Sequence, residues 1–372
     1  MVGPSLSDRT ASKGEGFAAV LGRETIMTEK KDLKTIIRER MAKTSESYTT
    51  ARLHVLREQR RWLPRPMTRF IAAHEAQASS AEPWNDADST AKADLSEPLE
   101  AAVLKVNQLS ARVRLLSTGE KITFRASGFW EIVPGQIVTL TPKKRWTNRG
   151  FAYASGVVTD ARIDVPALGL VPLRLKDKGM MSPGEIGEPE HHPPLKKLWS
   201  QISKPRTAYE MDQVLPGSDP DDFDSDPIIG ASERNQIGDG AGAKKALMDL
   251  LAQDLRCLDA HAHLGNFILD RNPKQALLHY EVGVRIGEQA LGAGFTALLP
   301  WGHIDNRPFL RCLHGYGLAL WRLRRIKEAE MVFERMLWLN PNDNQGARFC
   351  WLDAKKGKSW TAVEEQEMQA YH

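Results

Sequence analysis

LRCLHGYGLALWRLRRIKEAEMVFERMLWLNPND, Leu310 to Asp343, decides how the second half of this chain is read. Apolar residues recur at three- and four-residue intervals on both sides of Leu323-Arg324-Arg325, the pattern of two amphipathic helices joined by a tight turn. Gly317 is a small residue that lets the two helices approach. Tyr316 and Leu320 on the first helix, with Ala329, Phe333 and Met336 on the second, fill the space around it. Pro341 closes the unit. A looser copy starts at Leu258, with Leu264, Gly265 and Ile268 on its first helix and Ala276, Tyr280 and Gly283 on its second. The same periodicity predicts helices over 244–255, 258–270, 273–291, 308–323 and 326–339, and a last one from about Asp343. Pro273 and Pro308 suit first helical positions.

With these residues at a period near 34, the stretch resembles a tetratricopeptide repeat. The resemblance spans about 85 residues in two copies, separated by the insertion ALGAGFTALLPWGHIDN. Met336 stands where the family has a small residue, and Arg324 replaces its turn glycine. The resemblance implies stacked helix pairs whose first helices line a concave groove for an extended or helical peptide. Carried over, the groove positions are Asp259, Asn266 and Asp270 in the first copy, and Arg311, His314, Leu318, Trp321 and Arg322 in the second. It implies a non-enzymatic scaffold or adaptor whose partner is a protein or peptide. With only two clear repeats, a homodimer through the exposed end of the stack is an expectation.

The middle of the chain changes period. AAVLKV, ARVRLL, KITFRA, QIVTLT, FAYASGVV and VPLRL are short alternating runs, with turns at Ser117-Thr118-Gly119-Glu120 and Pro134-Gly135. They predict a small closed barrel of the OB or SH3-like kind. Within it, TPKKRWTNRGFAY sets Lys143, Lys144, Arg145 and Arg149 beside Trp146, Phe151 and Tyr153. Cations neutralise phosphates and aromatic faces stack on unpaired bases, so these residues form a candidate nucleic-acid interface. The alternative is structural: two aromatics plug the barrel, and the lysines keep an edge strand soluble.

The fold class expected is multidomain α+β. Residues 1–27 read as a disordered tail, with Met27 a candidate start codon, and 28–72 as a helical hairpin. A linker covers 73–97, the small β-barrel 98–178, a Pro/Gly/Asp-rich connector 179–242 with one short helix over Leu195 to Ile202, and the TPR-like helical domain 243–372. The hairpin sequence LKTIIRERMAKTSESYTTARLHVL resembles the helical part of ribbon-helix-helix antitoxins over roughly two dozen residues, although the basic strand of that family is not evident. Charge is uneven along the chain: about +7 over 28–71, about +6 over 100–150 and about −6 over 203–240. A basic front end of this kind suits an anionic partner, so a regulator that binds nucleic acid is the alternative function.

LDAHAHLGN, Leu258 to Asn266, invites a metal-site reading through His261 and His263. On a helix, residues two apart point roughly 200° apart at ~100° per residue, so the two imidazoles cannot share an ion. About 110 residues follow His263, too few for the barrel that amidohydrolase-like enzymes build around such a site. DPDDFDSD, Asp219 to Asp226, lacks the glycine and closing glutamate of a calcium loop. His191 and His192 lie among prolines without a partner at ligand spacing, and no phosphate loop or nucleophile elbow occurs. Neither a catalytic residue, a metal ligand nor a cofactor is therefore assigned. PWGHIDNRPF, Pro300 to Phe309, reads either as a ligand-binding lip or as a packed bridge in which Asn306 caps a helix. Cys257, Cys312 and Cys350 form no CxxC pair, no apolar run reaches the ~18 residues of a membrane helix, and the first residues, without an early basic region or a sustained apolar stretch, are not expected to act as a signal peptide. A cytoplasmic location follows as an expectation.

Overall fold

LEAAVLKV forms β1 (Leu99–Val106), and it is buried on both faces. Ala101 and Val103 point into a small barrel core, while Ala102 and Leu104 join a larger core shared with the helices. That double burial explains why the strand reads as a continuous apolar run rather than an alternating one. The computed structural model describes residues 97–184, 192–218 and 225–370. The tail, the helical hairpin with its ribbon-helix-helix resemblance, the linker up to residue 96 and most of DPDDFDSD lie outside the described residues.

β1 is followed by β2 (Ser110–Leu115), β3 (Lys121–Arg125), β4 (Ile137–Asn148) and β5 (Phe151–Arg162). They close into a barrel in the order β1-β2-β3-β5-β4, with β3 and β5 parallel and the other pairs antiparallel. Phe124 and Phe129 fill the interior with Val113, Ile122, Val138 and Leu140. The β4–β5 ladder shifts register just after Pro142, where Lys143 is left as the unpaired residue of a bulge. Gly156 permits the close approach of the strands there: a Cβ on it would lie 2.1 Å from the carbonyl oxygen of Thr141. The run VPLRL, expected in the barrel, is not a barrel strand; Leu175 instead opens β6 (Leu175–Met181).

The connector holds the short helix expected over Leu195 to Ile202 and carries further structure beside it. β6 pairs with β7 (Arg206–Met211) around α1 (Pro193–Ile202), and α2 (Pro227–Gln236) precedes α3 (Gly240–Gln253). Asp226, the last acid of DPDDFDSD, caps α2 through the backbone N–H groups of Ile228 and Ile229.

Then come α4 (Leu258–Ile268), α5 (Pro273–Leu291), α6 (Arg307–Arg322) and α7 (Ile326–Leu339). α8 (Ala347–Lys355) and α9 (Trp360–Ala370) replace the single last helix expected, because Gly357, at φ 74, breaks the run. The crossings follow the small residues. A Cβ on Gly317 would stand 2.6 Å from Phe333, and Tyr280 wedges against both Gly265 and Gly315. Arg324 holds φ 63 in the α6–α7 turn, the conformation for which glycine is the usual choice. The stack is longer than the two copies read from the sequence: α2 and α3 precede α4, and α8 packs on α7.

Barrel and helices meet across β1 and α3, where Lys105 pairs with Asp249, and across α5, where Gln275 donates to the carbonyl of Trp130 at 2.7 Å. Docking consumes the β1 side of the barrel and leaves β2, β3, β5 and the far half of β4 turned outward.

Candidate functional site

Strand alternation builds the outer barrel face. In β2, Ala111, Val113 and Leu115 point inward, so Ser110 and Arg112 point out; in β3, Ile122 and Phe124 are inside and Lys121, Thr123 and Arg125 outside. Register then aligns the outward residues across four strands. Arg112 faces Thr123, Thr123 faces Tyr153, and Tyr153 faces Trp146. The next row runs Ser110, Arg125, Ser155 and Lys144. Lys121 and Phe151 stand on the other side of the central row.

The rings are held by these neighbours. Trp146 and Tyr153 stack at 5.6 Å between centroids and 12° between planes. Arg125 and Lys144 approach the Trp146 ring to 5.7 and 5.9 Å, and Arg112 approaches Phe151 to 6.0 Å. Phe151 is 57% exposed. Every outward charge on the central stretch (Arg112, Lys121, Arg125, Lys144) is positive. Arg114, the remaining outward cation of β2, is drawn away to the carbonyl of Leu168 at 2.7 Å.

Of the five residues assigned to this interface from sequence, Lys144 and Trp146 sit on the face. Arg145 points to the opposite side and pairs with Glu120 at 2.5 Å. Lys143 lies at the bulge, and Arg149 makes the hairpin tip at φ 47, followed by Gly150 at φ 78. The aromatics do not plug the barrel, since Phe124 and Phe129 do. Among the described residues, β4 beyond Leu140 pairs with β5 alone. The lysines therefore also guard an open strand edge. Sequence reading missed Arg112, Lys121 and Arg125; the signal was their period-two spacing in SARVRL and KITFR.

The predicted groove residues are brought together differently from the expectation. Arg311 clamps both Asp259 oxygens at 2.7 Å, and Asp259 is 5% exposed. Asp270 pairs with Arg322 at 2.7 Å, and Asn266 accepts from the Tyr280 hydroxyl at 2.6 Å. His314 packs edge-on against Phe333, and burial drives its pKa down to about 4. Leu318 is half-buried, whereas Trp321 is buried against Phe333 and Trp360. Two of the charged pairs, Asp259 with Arg311 and Asp270 with Arg322, are thus closed within the chain, while Asp270 itself stays exposed.

The histidines of LDAHAHLGN do diverge on α4. His261 is fully buried with Nε2 near the Leu255 carbonyl, and burial lowers its pKa to about 4; His263 contacts the Ser232 hydroxyl at 3.3 Å. No group of three His, Cys, Asp or Glu suited to a metal occurs among the described residues.

In PWGHIDNRPF, Asn306 makes no side-chain cap to α6. It accepts from the Met211 N–H at 2.7 Å and donates to the carbonyls of Tyr209 and Pro300, so it ties the insertion to β7. Trp301 lies under Arg307 and Arg311 at 5.2 and 5.7 Å. The bridge reading fits this geometry, with a strand clamp in place of the cap. Comparison with protein-family models, curated proteins and solved structures finds no match to this chain.

Proposed function

We propose that this protein binds single-stranded nucleic acid on the outer face of its barrel. The observation that carries the reading is the cross-strand register of Arg112, Thr123, Tyr153 and Trp146, bordered by Lys121, Arg125, Lys144 and Phe151, on the side facing away from the helices. Exposed rings accept bases of any sequence, while cations beside them neutralise phosphates. The closed order with a parallel β3–β5 pair supports assigning the barrel to the OB kind, in which strands 2 and 3 carry the oligonucleotide face. No proton transfer or nucleophile is needed, so the activity proposed is binding without catalysis. Buried Cys257 and Cys312 suit the reducing cytoplasm, and we include that location in the proposal.

Fluorescence anisotropy of a labelled 12-nucleotide single strand tests it. If three to four phosphates are neutralised, log K should fall with log salt at a slope of about −2 to −3. Arg112→Glu with Arg125→Glu should abolish binding while leaving the fold intact. Binding that ignores both salt and this double variant would refute the proposal.

A second reading keeps the helical stack as a scaffold that docks a partner protein, in the manner of tetratricopeptide repeats. The sequence resemblance, the paired helices and the glycine crossings support it. Arg311→Glu is a poor probe of it, because two carboxylates would then meet at the buried Asp259. Arg322→Gln, at the groove's end, is the better variant, since it removes the charge without adding a third carboxylate beside Asp270 and Glu364.

A further inference from the structure

Resting on the second reading, we infer that the groove end formed by Asp270, Trp321 and Arg322 is a docking site for an amphipathic helix bearing a tryptophan and, four residues on, a carboxylate. α9 fills that site in cis.

α8 continues the stack on α7, but α9 does not extend it. The chain reverses at Gly357, and α9 lies back against α6, the first helix of the preceding pair. The reversal is pinned where the Trp321 indole N–H donates to the Lys358 carbonyl at 2.8 Å, and Ser359 caps the new helix through Ala362 N–H. Three residues of α9 then meet the groove: Trp360, Val363 and Glu364. At spacings of three and four they share one helical face. Trp360 meets Trp321 edge-on at 5.4 Å and 85°, and the Arg322 guanidinium lies 4.4 Å from the Trp360 ring centroid. Glu364 reaches Arg322 at 3.8 Å, on the side of the guanidinium away from the Asp270 contact. Thr361, Glu365 and Gln366 face solvent.

Arg322 is thus a recognition centre with three partners: an indole beneath it, a resident carboxylate from α4's end, and an incoming carboxylate from the docked helix. The occupant is held lightly. It has eleven residues, short of the ~12–15 at which an isolated helix becomes stable, and Glu364 is nearly half exposed. An equivalent helix on another protein, carrying Trp-x-x-Val-Glu or a close variant, can therefore compete for the same residues.

The test uses the full chain and a fluorescein-labelled peptide of the sequence SWTAVEEQEMQA. Trp360→Ala in the protein should vacate the site, so this variant should bind the peptide at least ten-fold more tightly than the wild type. Adding Arg322→Glu, or replacing the peptide's tryptophan by alanine, should remove that binding. Equal affinity for wild type and Trp360→Ala, or binding indifferent to Arg322→Glu, overturns the inference. Should Trp360→Ala fail to fold by circular dichroism, Glu364→Lys takes its place. It should speed amide exchange in α9 and raise peptide affinity; unchanged exchange and affinity overturn the inference. No peptide binding in any variant sinks this site alone. The wider docking reading fails separately, if reversing the exposed charges of α4 and α6 leaves every protein that co-purifies with the full chain bound as before.

Discussion

Replacing Asn306 by alanine should destabilise the protein by about 3–5 kcal/mol. The side chain is fully buried and makes three hydrogen bonds: from Met211 N–H at 2.7 Å, and to the carbonyls of Tyr209 at 2.9 Å and Pro300 at 3.0 Å. Each buried group left without a partner costs about 1–3 kcal/mol, and water entering the vacated space recovers part of the sum. At about 2–4 °C per kcal/mol for a domain of this size, Tm should fall by roughly 10 °C. Asn306→Asp separates acceptance from donation. The carboxylate still accepts from Met211 but faces two carbonyl oxygens, so this isosteric change should be damaging at neutral pH and milder in acid. Thermal melts of both variants, with amide exchange at Met211, provide the assay. An Asn306→Ala protein within 1 kcal/mol of wild type, with Met211 still protected, would refute the clamp and return PWGHIDNRPF to the ligand-lip reading.

Gly315→Ala should cost about 1–3 kcal/mol, because its Cβ would stand 2.1 Å from the Tyr280 ring; a urea midpoint matching wild type would contradict that packing. Stability should also fall in mild acid through His261. Its unfolded imidazole takes a proton near pH 6.5, but the buried one only near 4, so acid favours the unfolded chain. The contribution is whole above about pH 6.5 and is lost as pH falls toward 4, on the order of 3 kcal/mol. His261→Gln should flatten that part of the pH–stability curve, and a curve of unchanged slope would count against the burial argument. Phe151→Ala should weaken single-strand binding by about 5- to 150-fold without moving Tm, as expected for a base-stacking ring that is 57% exposed.

The helices were legible where local chemistry punctuates them. Pro273 and the lost period after Leu291 bound α5, and α7 spans Ile326–Leu339 as the periodicity predicts. β6 and β7 were not legible. LKDKGMM exposes most of its side chains, and RTAYEM is ordered by Leu298 and Asn306 from far along the chain. Gly357 and Ser359 did carry a local signal for the break before α9. The charged pairs among the helices had none: Asp259 and Arg311 are 52 residues apart, and nothing near either residue announces that it will neutralise the other. On the barrel, the dense KKRW cluster drew attention from the sparser cations of β2 and β3. Three-dimensional register, which local composition does not encode, decides which of them share the face of Trp146.

Photocrosslinking tests the central claim most directly. A single-stranded 12-mer with 5-iodouracil at each position in turn would be irradiated with the full protein and the adducts mapped by mass spectrometry. The account predicts adducts at Phe151, Tyr153 or Trp146, suppressed by salt and by Arg112→Glu with Arg125→Glu. Adducts confined to other parts of the chain, or none under conditions where the strand is bound, would contradict it.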